Sequence, residues 1–248
     1  MVSLVECFWS LQGEGPWVGA PTLFVRTAGC PLRCTYCDTV ESYEAPPDFE
    51  VRDLEGDVVV TLPNPSRSED LLKAPWFQPR GRNCWLSVTG GEPLLWPGFC
   101  HEIFEGARDR GFRTLLETAA LDADALATAL PAIDHLAMDF KLPSTLGGGE
   151  HRAEDHAACL ALAMDQEVET SVKVVLTPGI SMNELQAGLS RIQPWREGFC
   201  LVLQPVTPCL HETLPLGLDR LRSMVTLALD MDFRVRVLPQ VHKSLGLA

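Results

Sequence analysis

Six apolar runs of strand length, each followed by a stretch with helical spacing, constrain this chain more than any other feature. They lie at residues 22–27, 84–88, 113–117, 135–140, 171–176 and 200–204. Strands that alternate with helices pair in parallel, because each crossover returns the chain to the same end of the sheet. Helical spacing is clearest at 97–110, in the stripe Ala157, Leu160, Ala161 and Met164, and in Leu185, Leu189 and Ile192. Ser181 and Glu184 form a capping box before the last of these. Further strands are expected at 5–10 and 233–238. The pattern predicts an α/β chain, a partial (β/α)6-type TIM barrel with extra N- and C-terminal strands. Residues 41–82 are irregular, rich in proline and charge, with one helix expected at 66–74. No repeat or linker divides the chain, so residues 1–248 are read as one domain with an insertion at about 41–82.

In parallel barrels, reactive residues gather where strands end. Arg26 comes late in the first run, Thr89 and Glu92 follow the second, and Glu117 closes the third. Asp139 and Lys141 close the fourth, Lys173 lies in the fifth, and Gln204-Pro-Val-Thr207 follows the sixth. Charged groups at such depth need partners or a ligand. Any one of them alone would suit a structural ion pair; their common rim favours a site.

Between the first two runs stand Cys30, Cys34 and Cys37, a C-x3-C-x2-C triplet. Three thiolates on one loop hold three irons of a [4Fe–4S] cluster and leave the fourth iron for a non-protein ligand. Structural zinc asks for four ligands, and before Cys84 the only other Cys or His is Cys7. Nine irregularly spaced cysteines do not suit a disulfide framework. The second run ends in Thr89-Gly-Gly-Glu-Pro93, where glycines let a ligand approach the backbone.

A net charge of −13 argues against a nucleic-acid surface. No stretch reaches the length of a membrane span, and the N-terminus has no signal-peptide pattern. Scattered cysteines without an export signal indicate a cytoplasmic protein. Cys7, Cys84, Cys100, Cys159, Cys200 and Cys209 are expected in core positions.

The triplet followed by Thr-Gly-Gly-Glu-Pro resembles radical S-adenosylmethionine (SAM) enzymes. Ser10-Leu-Gln-Gly-Glu-Gly-Pro16, Cys37-Asp-Thr39 and Leu238-Pro-Gln-Val-His-Lys243 narrow the resemblance to the 7-carboxy-7-deazaguanine synthases, from end to end except at 41–82. The resemblance implies that SAM chelates the open iron and is cleaved by one electron to a 5′-deoxyadenosyl radical. That radical takes a hydrogen from 6-carboxy-5,6,7,8-tetrahydropterin, which contracts its ring and loses ammonia. The product, 7-carboxy-7-deazaguanine, leads to queuosine and related 7-deazapurines.

By the same resemblance Leu11, Gln12 and Gly13 contact the pterin, with Glu14 close by and Thr89 also touching substrate. Arg26 suits the substrate carboxylate through a two-pronged hydrogen bond. Gly91 and Glu92 meet SAM, Tyr36, Cys37 and Asp38 line its adenosine, and further SAM contacts fall at Asp139, Phe140, Lys141, Gln204, Pro205, Val206 and Thr207. Thr39 would bind Mg²⁺, and His242 and the terminal Ala248 fold back onto the pterin. An electron donor such as a flavodoxin and a homodimer are the implied partners. Two departures stand out. Glu117-Thr-Ala-Ala120 replaces the usual Glu-Thr-Asn-Gly, and Asp139-Phe-Lys141 stands where Ser-Pro-Lys is common, so that the lysine alone matches. Two other readings of the cysteine triplet stay open: an activase of a glycyl-radical protein, and a non-catalytic iron–sulfur redox sensor.

Overall fold

The computed structural model describes residues 1–147, 152–209 and 214–247. Its centre is a run of six strand–helix units. They are β2 (Pro21–Thr27) with α1 (Ser68–Lys73), β5 (Trp85–Gly90) with α2 (Pro97–Arg108), and β6 (Arg113–Thr118) with α3 (Ala123–Ala129). Then come β7 (His135–Asp139) with α4 (Ala153–Asp165), β8 (Glu169–Leu176) with α5 (Met182–Ile192), and β9 (Phe199–Pro205) with α6 (Leu218–Asp230). Each of these strands pairs in parallel with the next. The expected partial (β/α)6 barrel is therefore present. Both extra strands exist: β1 (Leu4–Leu11) runs antiparallel to β2, and β10 (Val235–Val237) lies parallel to β9. With β3 (Asp48–Arg52) and β4 (Val58–Pro63) at its far edge, the sheet stays open among the described strands, in the order β10-β9-β8-β7-β6-β5-β2-β1-β3-β4.

Period-two alternation separates the two faces of the barrel. Leu86, Val88, Leu116, Leu136, Met138, Val172, Val174, Leu201 and Leu203 turn toward the helices and show no exposed surface. Each such burial contributes roughly 1.5–3 kcal/mol. Their neighbours in sequence, among them Ser87, Glu117, Asp139, Lys173 and Gln204, belong to the inner face. Half of the expected capping box is present at α5: Ser181 accepts a hydrogen bond from the Glu184 amide, while the Glu184 carboxylate accepts from Ser144 N at 2.7 Å.

Two expectations need correction. Residues 41–82 are not merely irregular: they hold a hairpin, β3 (Asp48–Arg52) and β4 (Val58–Pro63), which extends the sheet beyond β1. Phe49 and Val51 alternate with charged residues and are buried, so one face of the hairpin closes the core while the other meets water. On α4 the buried stripe is Ala153, His156, Cys159, Leu160 and Ala163. Ala157, Ala161 and Met164 are only half-buried. That helix is apolar on most sides, so spacing alone does not settle which face turns inward.

Candidate active site

The C-terminal ends of the parallel strands, with the loops that follow them, surround a cavity of about 220 Å³. Cross-strand register sets its inner wall. Asp139 on β7 lies directly opposite Lys173 on β8, Arg26 on β2 opposite Thr89 on β5, and Val175 on β8 opposite Gln204 on β9.

The cysteine loop forms one side, and the loop after β5 is interlocked with it. Gly91 N donates to Thr27 O at 2.9 Å, Glu92 N to Gly29 O at 2.7 Å, and the Trp96 indole to Ala28 O at 3.0 Å. Gly91 is required by space: a Cβ there would lie 2.0 Å from Gly29 O. Glu92 is 4% exposed, and its carboxylate accepts from Leu94 N (3.0 Å), Ala119 N (2.9 Å) and the Thr118 hydroxyl. Burial outweighs those donors and holds its pKa above the usual carboxylate range. Glu92 therefore ties the loop after β5 to the end of β6 while it also lines the cavity.

Cys30, Cys34 and Cys37 are half-buried, free and on the cavity wall. Cys7, Cys84, Cys100, Cys159 and Cys200 are buried in the fold, as expected, whereas Cys209 is only half-buried. Burial pushes the Cys30 thiol up to about 11 and raises Cys34 as well. A bound cation reverses that balance, since a coordinating thiol ionises. Among the described residues no three His, Cys, Asp or Glu side chains could share a single ion. A [4Fe–4S] cluster asks for something else, one thiolate for each of three irons. Three free thiols on one cavity, beside the Gly90-Gly91 turn that also lines it, fit that requirement.

Beside the cysteines runs a chain of charges. Lys141 Nζ bonds Asp139 at 2.9 Å, Lys173 Nζ meets Asp139 at 3.2 Å, and Lys173 also pairs with Glu14. Burial alone would depress both lysines, but the carboxylates outweigh it, so both stay charged. Burial would likewise raise Asp139, and the two lysines overcome it and hold it ionised. Lys141 Nζ also lies 5.2 Å above the Tyr36 ring. Glu117 behaves differently: burial, then the nearby Glu14, raises its pKa. Its Oε1 accepts from Gln12 (3.0 Å) and Ser87 (2.6 Å). Arg26 Nε bonds Glu6 at 2.8 Å, and the guanidinium sits over Phe8, itself stacked on Phe24 at 4.9 Å.

The final helix, α7 (Val241–Leu245), closes the remaining side. Val241 N donates to Gly13 O at 2.9 Å, and the His242 ring packs where a Cβ on residue 13 would be. All the proposed substrate residues that are described reach the cavity; Ala248 lies outside the described residues. Thr39 and the SAM-side residues reach it too, apart from two. Phe140 points to the helix side, its ring 4.9 Å from that of His156, because it alternates with inward Asp139. Pro205, which alternates with Gln204 at the end of β9, does not line the cavity. Gln240, Lys243 and Tyr43 also line it, without a local signal for that role in the sequence. The first two lie in or beside the terminal motif, but nothing local marks them as partners of residues near the N-terminus.

The sequence model of the radical SAM superfamily matches residues 24–191. A 7-carboxy-7-deazaguanine synthase of Methanopyrus kandleri is 36% identical over 250 residues, spanning 98% of this chain and 92% of its own length. The synthase of that name from Geobacter sulfurreducens is 30% identical over 98% of this chain and 96% of its own. Among solved structures, QueE from Escherichia coli shares the fold with a TM-score of 0.64 at 21% identity, over 95% of this chain and 93% of that one. Streptococcus suis SuiB bound to S-adenosylmethionine gives 0.52 at 12% identity, over 85% and 48%. A cavity that joins three free cysteines to a charged strand-end rim, in a chain matched along its length by such relatives, belongs to the radical SAM superfamily and, within it, to the 7-carboxy-7-deazaguanine synthases.

Proposed function

We propose that the chain is a lyase converting 6-carboxy-5,6,7,8-tetrahydropterin to 7-carboxy-7-deazaguanine, with a [4Fe–4S] cluster on Cys30, Cys34 and Cys37, SAM and Mg²⁺. The observation that carries this is one cavity in which the three free thiols face Arg26, Gln12, Glu14 and Glu117. When bound, the cluster and SAM supply the one-electron chemistry that abstracts hydrogen from the substrate.

The chain's own residues position and protect the reactants. Arg26 has Nε committed to Glu6, and its two terminal nitrogens form the fork that suits a carboxylate. The Phe8–Phe24 stack beside it offers a flat apolar wall for a ring. Glu117 has Oε1 occupied by Gln12 and Ser87, which leaves Oε2 for a pterin N–H. Gly91 lines the cavity where the methionyl end of SAM would lie, and Asp38 and Tyr36 flank its adenosine. Thr39 supplies one oxygen for Mg²⁺, with water and substrate completing the shell. The tail with His242 covers the substrate and keeps water from the radical.

In this reading residues 1–248 act as one domain with 41–82 as its insertion. The electron comes from an external donor of the flavodoxin type, and a second copy of the chain is the expected partner. No helix among the described residues is long and apolar enough to cross a membrane, which agrees with a cytoplasmic site of action. The test is anaerobic: reconstitute the cluster, add dithionite, SAM, Mg²⁺ and the pterin, and assay by mass spectrometry. Deazaguanine is expected, and it should vanish with Cys34→Ala. 5′-Deoxyadenosine without deazaguanine would mean a different substrate.

A further inference from the structure

The tail is tied to both halves of the site by one side chain. Gln240 Nε2 donates to Glu14 Oε1 at 2.7 Å and to Asp38 Oδ2 at 3.0 Å. Glu14 stands in the loop after β1, on the substrate wall; Asp38 follows Cys37 on the cysteine loop. A primary amide is well matched to this place, because its two N–H groups serve two acceptors without adding charge. The contact also closes a circuit. From Glu14 it passes through Lys173, Asp139 and Lys141 to Tyr36, two residues from Asp38. The described tail residues around Gln240 reinforce it: Lys243 meets Asp38 at 3.4 Å, and Val241 N bonds Gly13 O.

We propose that Gln240 is a positioning residue that latches the tail across the substrate wall and the cysteine loop together, so that the site closes on pterin and cofactor as one unit. This rests on the reading of the site given above. A seated tail holds Glu14 toward the pterin and Asp38 beside the adenosine pocket, and removing the latch loosens both at once. Radical formation would then proceed without a committed substrate. Gln240 touches neither the cysteines nor, in this reading, the reacting atoms, so its loss acts through the residues it holds.

The experiment compares wild type with Gln240→Ala and Gln240→Lys. A lysine ammonium can again donate to both carboxylates and serves as the rescue. In apoprotein without cluster, hydrogen exchange of the tail peptide 238–247 should speed up about tenfold in Gln240→Ala. The affinity for 6-carboxypterin, used as probe, should fall about tenfold. In reconstituted enzyme the KM for the pterin should rise by a similar factor with kcat within about twofold. The 5′-deoxyadenosine accumulated per deazaguanine should increase several-fold. Gln240→Lys should recover most of each effect. Exchange, probe affinity and product ratio all within twofold of wild type in Gln240→Ala would overturn the latch, and so would equal defects in the two variants. If wild type binds the probe and protects its tail but makes no deazaguanine, the functional reading fails while exchange and binding still decide the latch.

Discussion

Gly91→Ala should damage both stability and cluster retention, through a single contact. The added Cβ would lie 2.0 Å from Gly29 O and 2.6 Å from Gly29 C. Ordinary contact lies above about 3 Å, so the two loops must separate by roughly 1 Å, which close-packed surroundings resist. That displacement breaks the 2.7 Å bond from Glu92 N to Gly29 O and strains the 2.9 Å bond from Gly91 N to Thr27 O. Two buried backbone groups left poorly paired cost about 2–4 kcal/mol in all. For a chain of this size that is a fall in Tm of about 5–15 °C. The assay is thermal unfolding of metal-free protein, followed by iron per chain after anaerobic reconstitution. Iron should drop below about half of wild type, because thiolates displaced by ~0.5 Å or more no longer match the cluster. Gly98→Ala is the control, since a Cβ there meets nothing within 4 Å. A Gly91→Ala protein that melts within about 2 °C of wild type and binds a full complement of iron would refute the interlock.

Arg26→Ala should weaken 6-carboxypterin binding by at least tenfold and leave unsubstituted pterin nearly unaffected; equal losses for both would remove Arg26 from the carboxylate. Ala120 has φ +52, a left-handed backbone, which costs a non-glycine residue about 1–2 kcal/mol. Ala120→Gly should therefore leave Tm within about 3 °C of wild type, because relief of the strain is offset by the flexibility of glycine in the unfolded chain and by loss of a methyl buried in the core; a gain or loss above about 5 °C would contradict this. His135 is held neutral by burial and then by the nearby Arg113, which lower its pKa from 6.5 to about 4. Its folded pKa lies below its unfolded one, so stability is full above pH 6.5 and falls as pH drops through the window from 6.5 to about 4, by at most about 3 kcal/mol. Denaturant titrations from pH 7 to 4 should show a shallower decline in His135→Gln, and parallel curves would exclude the histidine as the cause.

The six strand–helix units were legible because each carries its signal in adjacent residues: an apolar run, a helical stripe, a cap such as Ser181 with Glu184. The cysteine loop was legible for the same reason, since its spacing is local. The β3–β4 hairpin was obscured by prolines and charges around Phe49 and Val51, whose burial depends on β1 lying beside them. A motif stretch carries no record of which side chain faces inward, and one step of strand alternation from Asp139 turns the Phe140 ring to the helices. The Glu92 carboxylate is bonded by Thr118 and Ala119, which arrive from the next strand end and which nothing in its own motif announces.

The sequence by itself determined the order of elements, the three thiols and the charged ends of the strands, all set by short-range periodicity and residue chemistry. Tertiary structure alone decided which of these meet. Gln240 bonds Glu14 across 226 positions and Asp38 across 202, and Lys173 reaches Glu14 across 159. Such pairs leave no mark in the residues around either partner. They exist because parallel strands bring their C-terminal ends to one rim and the final helix folds back over it, so distant residues share one small volume.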